Sequence, residues 1–264
     1  MTPVEATEIA RSAVRAAARV ALEHFCRDIV VREKVDRSPV TDADLAAEEA
    51  VLQILRARDP TASVLAEESG AAEGTAGRRW IVDPIDGTRG FARGGEYWGP
   101  MVALERDGQV VAGAMALPAR GELFWATRGA GAFEGRLDQD GEKRLAVSAL
   151  RSLEESTLSL GETTRLLRPP HGDAVRALID RAASTRGFGD LAASTWVARG
   201  QAEVWLECGV APWDLAVPSL LVEEAGGRFS TFSGGADVHE GTAVGTNGHL
   251  HVEVMAALSG ARPG

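Results

Sequence analysis

Apolar residues recur at helical spacing through residues 3–26, at Ile9, Ala13, Ala17 and Val20, with Glu and Arg at other positions. This pattern predicts an amphipathic first helix. Ile29-Val30-Val31 is a short apolar run that predicts a strand, and residues 34–40 form a polar connection. Thr41-Asp42-Ala43-Asp44 has the composition of a helix start, with Thr41 as N-cap and Asp44 at N3. The Ala/Glu/Leu-rich run that follows is the helix, ending before Asp59-Pro60. Residues 63–66 predict a strand that runs into Glu67-Glu68, and 71–77 is a loop of small residues. Trp80-Ile81-Val82 then reads as the end of a buried strand. It breaks at Asp83-Pro84 and turns through Ile85-Asp86-Gly87 into a segment that can open a helix at Thr88.

Beyond a Gly-rich loop over 89–98, strand-like runs at 101–104, 110–117 and 123–126 are joined by Asp107-Gly108 and Arg120-Gly121 turns. They predict an antiparallel meander. The polar stretch 134–143 is read as the connection to a second lobe. There the pattern alternates: a strand at 157–160, a helix at 173–184, an irregular stretch at 185–189, a helix at 190–199 and a strand at 202–206. Trp213-Asp214 opens a further helix, with Pro218 inside it, that closes at the glycine signal Gly226-Gly227. A short helix over 250–258 comes last.

Composition narrows the reading. The 264 residues suit one large α/β domain or two closely joined lobes. The net charge of −10 argues against nucleic acid or an anionic membrane as the main partner. It leaves an anionic substrate open, because bound divalent cations reverse the local sign. Cys26 and Cys208, far apart and in no zinc spacing, read as reduced, buried thiols of a cytoplasmic protein. Residues 1–30 carry no apolar signal-peptide core, and no apolar run approaches the roughly 20 residues that span a bilayer.

The chemistry gathers at Asp83-Pro84-Ile85-Asp86-Gly87-Thr88. Two acids three residues apart on a tight turn can aim at one point, beside backbone N–H groups at a helix start. Such a corner suits a hard cation bridging to a phosphate, although a capped turn with two solvated acids has the same pattern. Alone, Asp44 reads as a capping residue and Glu67-Glu68 as solvated acids.

Together, Asp44, Glu67-Glu68, the Asp83–Thr88 motif and Trp213-Asp214, followed by eleven residues and Gly226-Gly227, resemble the inositol monophosphatase superfamily of magnesium-dependent, lithium-sensitive phosphatases. The resemblance spans nearly the whole chain. It implies an α+β / α/β fold, a layered αβαβα sandwich. An N-terminal lobe over 1–140 would carry most metal ligands, and a C-terminal lobe over 141–264 would supply Asp214 and the specificity residues. Glu67, Asp83 and the Ile85 carbonyl look like ligands of one Mg²⁺, and Asp83, Asp86 and Asp214 of another, with two or three ions per site. Two cations roughly 3.5–4 Å apart activate water and stabilise the leaving oxygen of an in-line displacement. Thr88 and Asp44, assisted by Glu67, resemble the groups that orient and deprotonate that water, while the Gly87 and Thr88 amides would hold phosphate oxygens. Lys34 occupies the position of a family lysine. The expected partner is a small phosphorylated metabolite, and the expected assembly a homodimer. None of the five histidines falls in these motifs.

Substrate choice follows finer resemblances. Residues 34–44, the Thr88-Arg89-Gly90-Phe91 run with Arg93-Gly94 and Trp98, and Thr185-Arg186-Gly187-Phe188-Gly189-Asp190 are similar to the bacterial histidinol-phosphate phosphatase branch. There Asp190 would pair with a cationic alcohol, and Arg186 lies in the same substrate-binding element. As a plain residue, Asp190 also reads as a cap for the helix that follows it. The chain departs from that branch at residues 191–195, which lack bulky aromatics, and at Glu96-Tyr97. Glu207, seven residues before Asp214, instead resembles the glutamate with which inositol monophosphatases contact inositol hydroxyls. Histidinol phosphate is therefore the leading expectation. Inositol 1-phosphate or a related cyclitol or sugar phosphate is the alternative, and a bisphosphorylated nucleotide stands behind both. A catalytically silent regulatory relative is the remote reading, opposed by the presence of every metal-site acid and Thr88.

Overall fold

A computed structural model describes residues 1–27, 30–33 and 39–259, and the backbone alone of Asp190. Ile29, Lys34 and the rest of the 34–38 connection lie outside the described residues.

Helix α1 (Pro3–His24) starts at a capping box in which the Thr2 side chain and Glu5 satisfy each other's backbone N–H groups. Its buried stripe includes Ile9, Ala13, Val14, Ala17 and Ala21. The expected strand at 29–31 is displaced: β1 (Arg32–Glu33) pairs antiparallel with β2 (Pro39–Val40), while Val30 and Val31 are exposed. Here an available backbone partner, rather than apolar character, decides which residues form the ladder. Helix α2 (Asp42–Arg58) begins as expected, Thr41 accepting the Ala43 N–H (3.2 Å) and Asp44 accepting the Thr41 N–H (2.8 Å).

Next come β3 (Ser63–Ala66), β4 (Gly70–Ala72), β5 (Arg78–Asp86), α3 (Thr88–Phe91), β6 (Gly99–Arg106), β7 (Gln109–Leu117), β8 (Glu122–Thr127), β9 (Gly131–Arg136) and β10 (Lys143–Arg144). They build an eight-stranded sheet of order β10-β9-β8-β7-β6-β5-β3-β4, in which β3 and β5 are parallel and the other pairs antiparallel. The meander is as the pattern predicts. Two readings are corrected. Part of the 71–77 loop is the edge strand β4, and the 134–143 connection contributes to the β9–β10 hairpin, with Lys143 facing Glu134. Both strands are short and polar or small, so their identity comes from pairing and not from periodicity.

The remainder comprises β11 (Thr157–Leu160), α4 (Thr163–Leu166), α5 (Gly172–Arg181), β12 (Ser184–Arg186), α6 (Asp190–Ala198), β13 (Val204–Cys208), α7 (Pro212–Glu224), β14 (Arg228–Ser230), β15 (Thr242–Thr246) and α8 (His251–Leu258). The second sheet runs β12-β11-β13-β15-β14. Part of the stretch 185–189, read as irregular, is β12, which pairs parallel to β11 through a distant stretch of chain.

The layers follow from which faces are apolar. Helices α1 and α2 bury Ala13, Ala17, Ala47 and Val51 against Trp80, Val82, Val102 and Leu104 on one face of the large sheet. Its other face, with Ile81, Met101, Met115 and Phe124, packs on Leu191 and Val197 of α6 and on Leu215, Val217 and Leu221 of α7. The far side of those helices meets Trp205 and Ala243 of the second sheet. That sheet's outer face, with Leu158, Leu206 and Val244, is covered by Val175 and Leu178 of α5 and Val254 of α8. The architecture is a layered αβαβα sandwich. No helix among the described residues is long and apolar enough to cross a membrane. Both cysteines are free, but burial of both is corrected: Cys26 is exposed, at a positive φ of 57° just past α1, and Cys208 is half-buried.

Candidate active site

Strand β5 carries the centre of the site. It does not stop at Val82 as its apolar run suggests. It pairs with β6 up to Asp83, shifts register, and pairs again at Asp86 opposite Gly99. Pro84 has no N–H to give a ladder, so an irregularity is expected there. The bulge swings Asp83 and Asp86 toward a common point. Gly87 follows at φ 80°, ψ 30°, a left-handed turn that glycine takes without strain, and the single turn α3 begins at Thr88. An aromatic trio holds this turn from behind: Phe91 meets Trp98 edge-on at 4.7 Å, and Phe25 beyond α1 lies 5.0 Å from Trp98 and 5.7 Å from Phe91. Such pairs add about 0.5–1.5 kcal/mol each beyond burial.

Carboxylate oxygens of Asp83, Asp86 and Asp214 lie within 4.8 Å of one another. Asp83 is 1% exposed, and its Oδ1 has no hydrogen-bond partner. Burial first, then the charges of Glu67, Asp86 and Asp214, push its carboxyl well above the usual range. A buried, unpartnered oxygen among crowded acids is costly unless a cation joins them. The donors are all hard oxygens, so the residues fit a Mg²⁺-type ion better than zinc or copper.

Backbone amides orient the outer two acids. The Leu191 N–H, in the first turn of α6, donates to Asp86 Oδ2, and the Ala211 N–H ahead of α7 donates to Asp214 Oδ2 at 2.7 Å. Asp214 sits in the first turn of α7, where the helix dipole favours an anion. Glu67 follows β3, and its N–H donates to the Val82 carbonyl across the parallel pair (3.1 Å).

Asp44 caps α2 and also reaches Thr88. It is fully buried, its Oδ2 accepting the Thr41 hydroxyl (2.6 Å) and N–H, and its Oδ1 lying 3.2 Å from the Thr88 hydroxyl. Burial raises its carboxyl above the ordinary value, and the bonds from Thr41 and Thr88 partly offset this. The Thr88 hydroxyl also reaches the Ile85 carbonyl (3.0 Å), and its one proton serves one acceptor at a time. Helix α2 adds a residue that sequence reasoning missed. Glu48, one turn after Asp44, is 4% exposed and accepts the N–H groups of Glu68 (2.9 Å) and Ser69 (2.8 Å). The only signal was its i+4 spacing from Asp44 on a helix otherwise rich in solvated glutamates.

The expected specificity residues are less uniformly placed. Asp190 is the first residue of α6, beside the amide that holds Asp86. Its side chain lies outside the described residues. Glu207 is 5% exposed, and its Oε1 accepts the N–H groups of Glu162 (3.1 Å) and Cys208 (3.3 Å). Its carboxylate covers Gly161 so closely that a Cβ there would lie 1.6 Å from Oε2. Arg186 is exposed on the edge strand β12 and donates to the Thr185 carbonyl (2.8 Å). Around the opening, Glu162 caps α4 and lies near Arg89 and Arg165, whose charges help keep its carboxyl low after the bond from Thr164. A separate surface cleft of 570 Å³ between Tyr97, Trp196, Arg120 and Arg199 contains none of the clustered acids. Its charges pair in series: Arg120 with Glu96 and Glu122, Arg199 with Glu122 and Glu134, and Lys143 with Glu134.

The site thus joins a buried Asp83 to half-buried Asp86 and Asp214, with the Thr88 hydroxyl beside the buried Asp44 carboxylate. The chain belongs to the inositol monophosphatase family, whose model matches residues 3–262. It is a phosphoric monoester hydrolase. It is 40% identical over 232 residues to a histidinol-phosphatase of Mycobacterium tuberculosis, covering 88% of this chain and 89% of that protein. Among solved structures, it superposes with a TM-score of 0.85 and 30% identity on the extragenic suppressor protein suhB from Bartonella henselae, covering 95% of this chain and 97% of that one. It also matches an IMPase/NADP phosphatase complexed with Mg²⁺ and phosphate, with a TM-score of 0.77 and 25% identity, covering 91% of this chain and 90% of that one.

Proposed function

We propose that the protein is a Mg²⁺-dependent histidinol-phosphate phosphatase. The observation that carries the metal is the unpartnered, buried Asp83 Oδ1 among Asp86 and Asp214. Asp83, Asp86, Asp214, Glu67 and the Ile85 carbonyl would hold the ions. Bound Mg²⁺ supplies Lewis acidity, lowering the pKa of the attacking water and offsetting charge on the phosphate and leaving oxygen.

The chain's own groups do the rest. The amides of Gly87 and Thr88 face phosphate oxygens at the start of α3. Thr88 Oγ1 accepts a proton from the attacking water as its own proton passes to Asp44 Oδ1, 3.2 Å away. Asp44 suits that task because burial makes it a stronger base than a surface carboxylate. Glu67 would assist, its charge lying near Asp83. Water and the ester thus yield inorganic phosphate and the free alcohol.

Two observations support a cationic alcohol. Asp190 stands in the chain one residue from the amide that binds Asp86, which puts its position beside the acidic cluster. Glu207, on which an inositol reading would rest, is engaged by two backbone amides. The 40% identity to a histidinol-phosphatase points the same way. Lys34 is kept as a further candidate on sequence alone, and Arg186 as a lesser contributor to the substrate wall. We take the active form to be a cytoplasmic homodimer, which light scattering of the purified protein would check for assembly.

Phosphate release from L-histidinol phosphate, D- and L-inositol 1-phosphate, fructose 1,6-bisphosphate and 3′-phosphoadenosine 5′-phosphate tests the reading. The expected result is a kcat/KM for histidinol phosphate at least about a hundredfold above the others, the scale of a desolvated ion pair. A preference for inositol 1-phosphate would overturn the substrate assignment, and turnover unaffected by EDTA would overturn the metal.

A further inference from the structure

We propose that Glu48 is a positioning residue for metal binding, acting by holding the backbone of the turn that presents Glu67. The inference rests on the reading of Glu67 as a metal ligand.

The turn between β3 and β4 is only three residues long. Ala66 pairs with Gly70, and Glu67-Glu68-Ser69 closes the hairpin, with Gly70 at φ 77°. All three turn amides are anchored. Glu67 N–H goes to the Val82 carbonyl of β5, and Glu68 N–H and Ser69 N–H go to the two oxygens of Glu48. Successive amides converging on one anion form a rigid nest. It fixes the chain on both sides of the Glu67 Cα, so the Glu67 carboxylate is delivered toward Asp83 from a frame with little freedom.

Only a carboxylate satisfies this turn. Two N–H donors pointing the same way need two acceptors on one group, and the group is 4% exposed, so water is a poor substitute. An amide side chain would offer one oxygen and turn an NH₂ toward the second N–H. Asp44 and Glu48 lie on one face of α2, four residues apart. That face serves the site twice, Asp44 through the Thr88 hydroxyl and Glu48 through the β3–β4 turn. The cost is a further buried negative charge near an acidic cluster, which a purely structural helix would avoid.

The test is Mn²⁺ binding to the full chain by electron paramagnetic resonance, with thermal unfolding of the metal-free protein measured in parallel. Glu48→Gln is expected to weaken Mn²⁺ binding by about tenfold or more, the range found for partners behind a ligand. Glu67→Gln is expected to weaken it at least as much. In the double variant, Glu48→Gln should add less than about twofold, because the residue acts through Glu67. Should Glu48→Gln not fold, Glu48→Asp keeps the charge but shortens the reach, and is expected to weaken binding in the same direction. Unchanged Mn²⁺ affinity in the Glu48 variant, with a lowered metal-free Tm, would overturn the proposal and leave a structural residue. Additive losses in the double variant would overturn it as well. Unchanged affinity in Glu67→Gln would instead sink the ligand assignment on which it rests.

Discussion

The two halves of the site are built differently. In the first half, the polar groups are side chains locked in the interior: Asp44, Asp83, Thr88 and Glu48 are all under 9% exposed. They hold one another or nearby backbone, as Asp44 does through Thr41 and Thr88. In the second half, the contacts to the acids come from main-chain amides of Leu191 and Ala211, while Glu162, Arg165 and Arg186 are exposed. The contrast separates two tasks. Chemistry needs a dry, preorganised field, which buried side chains supply. Recognition needs side chains that can change without disturbing that field.

Two experiments bear on this division, and a third on a group that lies outside it. The largest effect is expected from Asp83→Asn. It removes the charge shared by the cluster and should cut kcat by about a thousandfold or more, as when one metal-centred electrostatic group is lost. The metal-free protein should be at least as stable, because burial and three neighbouring acids oppose the charge of Asp83. Differential scanning fluorimetry and a phosphate-release assay read both. A folded variant with near-normal turnover would break the chemical half of the comparison.

Gly161→Ala should act on the other half. The added Cβ would strike the Glu207 carboxylate and push the 161–162 turn outward. An increase in KM of about thirtyfold is expected, the equivalent of roughly 2 kcal/mol of crowding. Metal affinity should stay within about twofold if the halves are separable. Equal losses in both would merge them.

The smallest effect concerns a group outside both halves. His251 is 2% exposed, with its ring nitrogens 3.1 Å from the Ser230 and Thr246 hydroxyls. Burial, with the Arg228 charge, lowers its pKa from 6.5 to about 4. The unfolded chain takes up the proton first as pH falls, so stability is full above pH 6.5 and declines below it, through the lowered value near 4. Urea unfolding should show a loss of about 1 kcal/mol between pH 6.5 and about 5.5. The slope should flatten in His251→Gln, and an unchanged slope would mean that other groups titrate.

How much of this was legible follows the same division. The Asp83–Thr88 corner and the Trp213–Gly227 segment could be read because each is local: proline, glycine and acids at short spacing set a turn and a helix start. Strands β4, β12 and β14 were missed because each is three residues long and exists through pairing with distant chain. The continuation of β5 to Asp86 was hidden by Pro84, which looks like a stop and is a bulge. Glu48 was invisible for another reason. In a run of Glu and Ala, nothing marks which glutamate faces inward until the β3–β4 turn is packed against it.

The amide of Leu191 holds Asp86 whatever side chain residue 191 bears, since the donor belongs to the chain and not to leucine. Only proline at that position would delete it. The same holds for Ala211 and Asp214. Drift in the second half therefore leaves the donors in place so long as the path of the backbone is kept. What holds these two acids is inherited as the shape of the chain and not as the identity of a side chain.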